Sequence, residues 1–230
     1  MNRYEVNKLE DLYNMLDNFT DGVKWDEFYQ ERKKTPPFIL NNKLPDKVIV
    51  DFLNNKNVNN VIEFGCGEGR NAIYIAKNNI KVKAIDLSET AINNAKVIAK
   101  EQNASVDFEC VDIFEKTYQE NEYDLAIDSG VFHHLSPHRR LQYREILKKV
   151  IKKDGYFLLS CFAEGENVAD EINDIEFYNT RRVGVAFSEE RIRRFFEDDF
   201  DIIDIRKGEQ IVNSEFMENS FLYRCIMKKK

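Results

Sequence analysis

Cysteine is scarce and unpaired in this 230-residue chain, which holds four. Cys66, Cys110, Cys161 and Cys225 lie far apart, so neither a metal knuckle nor a small disulfide framework is indicated. Each falls in or beside a segment that reads as a strand, which predicts reduced core thiols. Basic blocks are missing except for Lys228-Lys229-Lys230, and 34 Lys+Arg against 41 Asp+Glu leave a net charge of −7. With no positive stripe to neutralise phosphates, nucleic acid is not expected as a partner. Long apolar runs are also missing: the longest are strand-sized, and the charged N-terminal stretch has no signal-peptide core. The expectation is a cytoplasmic protein with no membrane partner, acting as a monomer or homodimer. There are no internal repeats and no low-complexity segments. The length suits one domain, or one domain with a cap.

What the chain does have is a glycine turn behind a strand. Val61-Ile62-Glu63-Phe64 is apolar but for one acid, and Gly65, Gly67 and Gly69 follow at alternate positions. The stretch from Arg70 to Lys77 then has helical spacing. Strand, glycine turn and helix together form a nucleotide-cradling geometry, with free N–H groups and positive dipole at the helix start. The dinucleotide fingerprint puts its third glycine one place later, where this chain has Arg70. Glu63, just before the turn, would repel a pyrophosphate and suits a cationic group. Asp86 closes the next strand, about 20 residues beyond Gly65, the spacing at which an acid holds a ribose diol. A ligand with a ribose and a cationic end is indicated, and S-adenosylmethionine has both.

From residue 59 onward strands and helices alternate. Strands are predicted near 59–64, 81–86, 106–111, 122–128 and 155–162, and helices near 70–78, 88–103 and 137–151. Ser88 reads as an N-cap, and Ser136-Pro137 as cap and first helical residue. This alternation predicts a parallel sheet covered on both faces. Beyond a helix from Ser188 to Phe196, strands near 200–206 and 219–227 follow without a helix between them, which predicts an antiparallel pair. Residues 1–57 read as helical, with Thr35-Pro36-Pro37-Phe38 as a break and Pro45 as a helix start.

The chain resembles the class I S-adenosylmethionine-dependent methyltransferases. Glu63-Phe64-Gly65-Cys66-Gly67-Glu68-Gly69 is similar to their first motif, and Val82-Lys83-Ala84-Ile85-Asp86-Leu87-Ser88 to the second-strand motif. Phe108 to Ile113, Tyr123 to Ser129 and Ile151 to Leu159 resemble the third, fourth and fifth. Order and spacing agree over about residues 58 to 162. Trp25 to Phe38, Gly69-Arg70-Asn71 and Val185 to Glu189 resemble the tellurite-resistance and thiopurine methyltransferase branch, which acts on small molecules. The resemblance implies an α/β, doubly wound, mostly parallel seven-stranded sheet with a reversed last strand. It implies an N-terminal helical cap over residues 1–57, and a methyltransferase unit over 58–230. By resemblance, Gly65, Gly67, Gly69, Glu63, Asp86, Leu87, Asp112, Ile113 and Asp128 contact the cofactor. Glu63 supports its ammonium, Asp86 the ribose, and Asp112 with the Ile113 backbone the adenine. The Asp128-Ser129-Gly130 turn lies nearest the methyl group.

Four acids at strand ends, Glu63, Asp86, Asp112 and Asp128, fit a site at the carboxyl edge of the sheet. The competing account is that strand-to-loop turns favour aspartate anyway. All three histidines, His133, His134 and His138, follow the fourth strand. No metal is expected of them, because His133 points away from the face shared by His134 and His138 and no cysteine is near. His133 and His134 are candidates for a general base beside the methyl position, or parts of a hydrogen-bonded loop. Trp25, Phe28, Tyr29 and Arg32 form a helical stripe, read either as core packing or as a lid over the acceptor. Tyr178, Arg181 and Arg182 are a second candidate acceptor wall. The expected activity is methyl transfer to a small-molecule O, N, S or metalloid nucleophile. A non-catalytic nucleoside-binding module and a protein methyltransferase are the alternatives; Gly69 and Glu63 argue against a nicotinamide oxidoreductase.

Overall fold

Val61 and Glu63 face one way along the first strand, Ile62 and Phe64 the other, and all are buried. Strands with no solvent face belong in the middle of a sheet covered on both sides. The computed structural model shows this, and it describes residues 6–31, 43–166, 169–213 and 215–230. In chain order the elements are α1 (Leu9–Asp17), α2 (Trp25–Gln30), α3 (Lys47–Asn55), β1 (Asn60–Phe64), α4 (Arg70–Lys77), β2 (Lys81–Asp86), α5 (Glu89–Glu101) and β3 (Asp107–Cys110). After these come β4 (Tyr123–Ser129), a 3-10 turn (Phe132–His134), α6 (Pro137–Val150), β5 (Ile151–Phe162), α7 (Asp174–Thr180) and α8 (Glu189–Phe196). The chain closes with β6 (Phe200–Lys207), β7 (Ile211–Val212), β8 (Met217–Glu218) and β9 (Leu222–Lys229).

The main sheet has seven strands in the order β3-β2-β1-β4-β5-β9-β6. β1 to β5 pair in parallel, and β9 runs antiparallel to both β5 and β6. This is the Rossmann-like methyltransferase fold with its reversed last strand. The strand order turns outward from β1 on both sides, so a crevice opens at the carboxyl ends of β1 and β4. On one face Ile49, Phe52, Val61, Ala72, Leu125, Ile127 and Leu158 pack together. On the other Ile62, Phe64, Phe132, Tyr143, Phe157 and Phe196 do so. Among the described residues no helix is long and apolar enough to cross a membrane.

Several local expectations shift. β5 starts at Ile151, directly after α6, rather than near 155. Its pairing with β4 jumps from Tyr123–Ile151 to Leu125–Tyr156. Asp154 takes φ 63° in that bulge, and a Cβ on Gly155 would lie 2.9 Å from the Lys152 carbonyl and 3.0 Å from that of Asp124. Only glycine fits there. α3 starts at Lys47 behind the N-cap Asp46, rather than at Pro45. The β6–β9 connection contains the β7–β8 hairpin, which reaches back to the N-terminal part through the Met217 N–H on the Pro45 carbonyl at 3.0 Å. Cys66, Cys161 and Cys225 are buried as expected, whereas Cys110 is exposed at the end of an edge strand. Arg32 and the Thr35-to-Phe38 break lie outside the described residues.

Candidate active site

Gly65, Gly67 and Gly69 stand at φ 64°, 53° and 81°, the left-handed region that other residues enter at a cost. The turn they build is tied to β2: the Gly67 N–H donates to Asp86 Oδ2 at 2.8 Å, and the Ser88 N–H donates to Asp86 Oδ1 at 2.9 Å. Asp86 therefore clamps the glycine turn to the start of α5, whose N-cap is Ser88 accepting from the Ala91 N–H at 3.1 Å. Burial raises the Asp86 carboxyl, and those backbone donors pull the other way. Leu87, beside it, is exposed.

Glu63 is 2 % exposed. Its Oε1 accepts from Asn71 Nδ2 at 3.0 Å, while its Oε2 is sealed from solvent without a partner. Burial, with the Asp46 charge, pushes this carboxyl up to about 8, against the Asn71 hydrogen bond, the Arg70 charge and the Ala72 N–H, which acts on it without making a well-formed hydrogen bond to Oε2. An anionic oxygen left unpaired in the interior is expensive, so at neutral pH the ligand-free group is largely protonated. Sequence reasoning missed the polar framework behind it. Asp46 Oδ1 lies 2.7 Å from Arg70 Nη1. Asn71 Nδ2 also donates to Asp46 Oδ2 at 3.2 Å, and the Ser129 hydroxyl donates to that same oxygen. Arg70 and Asn71 stood in plain view after the third glycine. Asp46 drew no notice beside Pro45; it is the N-cap of α3, but its side chain makes no cap bond and turns inward.

The other strand-end acids serve their own turns. Asp128, 1 % exposed, accepts at Oδ1 from the N–H groups of Gly130 (3.0 Å) and Val131 (2.7 Å), and at Oδ2 from that of Phe132 (3.0 Å). Burial raises it to about 6. Asp112 accepts from the Phe114 N–H at 2.8 Å, and the Ile113 carbonyl accepts from Tyr118 Oη at 3.0 Å.

The turn that Asp128 holds carries the histidines. His133 is buried, stacked on Phe162 with ring centroids 3.7 Å apart, and its Nδ1 accepts the Phe162 N–H at 3.2 Å. His134 Nδ1 lies 3.3 Å from the Val183 carbonyl and donates to it. Burial holds His133 well below the usual imidazole range and His134 at about 4. His138 goes elsewhere: its Nε2 meets Asp17 at 2.7 Å and its Nδ1 meets the Tyr178 hydroxyl at 2.8 Å.

The α2 stripe is divided between two places. Trp25 stands edge-on to His134 with centroids 4.9 Å apart. Tyr29 is turned onto the glycine turn, where a Cβ on Gly67 would lie 2.5 Å from its hydroxyl oxygen. Asp26 fastens α2 to the body, accepting from Ser88 Oγ at 2.8 Å and the Thr90 N–H at 2.9 Å. Tyr178 is taken by His138. Arg181 pairs with Asp21 at 3.3 Å and Arg182 with Asp170 at 2.6 Å, all with half-exposed side chains, so these pairs add little stability. What this segment brings to the histidines is backbone: the Val183 carbonyl, and the Val185 N–H on the His133 carbonyl at 2.9 Å.

Gly67→Ala is expected to cost about 1–2 kcal/mol of stability, from a strained φ and a displaced Tyr29. Ligand affinity at the turn should fall with it. Chemical denaturation alongside calorimetric titration would check this, and a variant with unchanged stability would show that the turn is slack.

A family model described as a methyltransferase domain matches residues 55–200, more than half of the chain. An uncharacterised methyltransferase of Schizosaccharomyces pombe is 31% identical over 105 residues, 46% of this chain and 72% of that protein. A 2-heptyl-1-hydroxyquinolin-4(1H)-one methyltransferase of Mycobacteroides abscessus is 25% identical over 151 residues, 65% of each. Among solved structures, a 1,6-didemethyltoxoflavin-N1-methyltransferase of Burkholderia thailandensis, with 1,6-didemethyltoxoflavin and S-adenosylhomocysteine bound, has a TM-score of 0.65. It is 17% identical, over 98% of this chain and 92% of that one, a likeness of fold alone.

Proposed function

The chain belongs to the methyltransferase-domain family, and we propose that it transfers a methyl group from S-adenosylmethionine to a small-molecule acceptor. S-adenosylmethionine is the methyl donor, and the observation that carries this is Glu63. Its buried Oε2 has no partner, and it stands immediately before a glycine turn whose backbone could lie against a ligand. An α-ammonium is the group that satisfies such an oxygen. Asp86 would take the ribose hydroxyls on its remaining lone pairs, with Leu87 beside it. Asp112 and the Ile113 backbone would border the adenine at the end of β3. When bound, the cofactor supplies a sulfonium-activated methyl group. The chain's own residues then need only hold the nucleophile in line and keep water out.

The acceptor side is lined by rings: Trp25, His133, His134 and Phe162. Such walls favour a flat small molecule. The Mycobacteroides relative, named for a hydroxyquinolinone, is consistent with that choice. In this reading α1 and α2 form a cap over the 58–230 unit, with Trp25 on the acceptor and Tyr29 on the cofactor turn. Asp128 acts through the turn it holds. Tyr178 and Arg181 would shape the outer rim.

Calorimetry should show S-adenosylmethionine and S-adenosylhomocysteine binding, with NAD far weaker. Tight NAD binding with no response to either adenosyl compound would sink the cofactor assignment. Incubation with labelled cofactor separates the acceptor classes. Label in a metabolite extract supports the small-molecule reading, label in protein supports a protein methyltransferase, and binding without any transfer supports a non-catalytic module.

A further inference from the structure

His133 and His134 are neighbours in sequence, with ring centroids 4.3 Å apart, yet the backbone assigns them opposite tautomers. His133 Nδ1 receives the Phe162 N–H. A neutral ring that accepts at Nδ1 carries its proton on Nε2. His134 Nδ1 faces the Val183 carbonyl, which can only accept, so its proton is on Nδ1 and Nε2 keeps a bare lone pair. Neither Nε2 has a partner among the described residues, and neither is sealed off as the Glu63 oxygen is. Burial keeps both rings neutral at pH 7, with the neighbouring His134 and the Arg140 guanidinium adding to the effect on His133. The protein thus presents one fixed donor and one fixed acceptor side by side, between Phe162 on one flank and Trp25 on the other.

We propose that this pair selects heteroaromatic acceptors whose nucleophilic O–H or ring N–H stands beside a carbonyl or ring nitrogen. His134 Nε2 accepts the nucleophile's proton, and His133 Nε2–H donates to the neighbouring carbonyl or ring nitrogen. As the acceptor atom gains the methyl group, its proton passes to His134. The S–CH₃ electron pair stays on sulfur, which leaves as a neutral thioether, so the cofactor's positive charge ends on the imidazolium. A weakly basic imidazole suits acidic hydroxyls and lactam N–H groups rather than aliphatic alcohols, because the pKa gap that the proton must cross is smaller. The proposal rests on the methyltransferase reading above and narrows its acceptor.

Trp25 is the only tryptophan of the chain, so its fluorescence reports binding beside His134 without any turnover. With S-adenosylhomocysteine present, the wild-type protein should bind 3-hydroxyquinolin-4(1H)-one or 8-hydroxyquinoline at least tenfold more tightly than 1-naphthol, which has the hydroxyl but no neighbouring acceptor atom. His133→Leu should remove that preference. His134→Gln, which keeps an acceptor oxygen but no basic nitrogen, should keep affinity within about threefold and lower methyl transfer by roughly 10²- to 10⁴-fold. If either histidine variant fails to fold, the wild-type comparison still decides. Equal affinity for 1-naphthol and the two hydroxyquinolines, with S-adenosylhomocysteine bound, would overturn the proposal and leave the cofactor assignment standing. Loss of S-adenosylhomocysteine binding by wild-type protein would instead strike the cofactor assignment itself.

Discussion

Glu63→Gln is expected to weaken S-adenosylmethionine binding by about 3 kcal/mol, roughly 150-fold, while the protein stays folded. The magnitude is that of a charged hydrogen bond strengthened by burial. Gln matches Glu in shape and keeps an oxygen for Asn71, but it cannot offer an anion to the ligand's ammonium. Binding should also release a proton. Ligand-free Glu63 sits at about 8, so at pH 6.5 most molecules must lose that proton before pairing. Affinity should therefore rise by close to tenfold per pH unit toward about 8, then fall as the ligand's own α-ammonium deprotonates, and Glu63→Gln should flatten the rising limb. Calorimetry in buffers of differing ionisation enthalpy measures the proton directly. Stability has the opposite sign. Between the ordinary 4.5 and about 8, the native ligand-free protein holds a proton that the unfolded chain has given up. This carboxyl's contribution is thus largest in acid and fades as pH rises through about 8. A pH-independent affinity in wild-type protein would mean that the ammonium lies elsewhere.

The architecture was legible because it depends on patterns that survive in a single sequence. The apolar residues of β1, β4 and the second half of β5 are buried on both faces, and the Gly65-to-Gly69 turn and Ser88 punctuate the alternation at nucleotide-binding spacing. The antiparallel pairing of β6 and β9 followed from two strands with no helix between them, and the reversed last strand from the family resemblance. Other features depend on contacts distant in sequence. The Trp25–Tyr29 stripe reads as one face of one helix, but α2 crosses the crevice, so Trp25 meets His134 while Tyr29 meets Gly67. Nothing local marks Asp46 as the partner of Arg70, Asn71 and Ser129, because a helix cap and an inward ion pair use the same residue type. The start of β5 was hidden because Ile151 to Asp154 is charged, as the last turn of a helix would be. The histidine tautomers depend on Phe162 and Val183, which no spacing rule connects to residue 133 or 134. Asp128 shows the difficulty: a strand-end acid that holds its own turn and one that faces a ligand are the same residue type at the same place.

Asp128→Ala should lower stability by about 3 kcal/mol, with a fall in Tm of about 10 °C for a domain of this size. Three backbone N–H groups, of Gly130, Val131 and Phe132, depend on this one carboxylate, and Phe132 is fully buried. Each donor left without a partner costs about 1–3 kcal/mol. Water can reach some of them in the variant, which keeps the total near the lower figure. Asp128→Asn retains an oxygen for Gly130 and Val131 but turns an amide N–H₂ toward the Phe132 N–H, so about half the loss is expected. Because the turn also delivers His133 and His134, acceptor affinity should fall in step with stability. S-adenosylhomocysteine affinity, measured well below the transition temperature, should change little. This pattern separates a turn-holding role from contact with the reacting methyl group. If Asp128→Asn melts like wild-type protein yet loses turnover, the carboxylate faces the reaction, and the hydrogen bonds to residues 130–132 are incidental to its function.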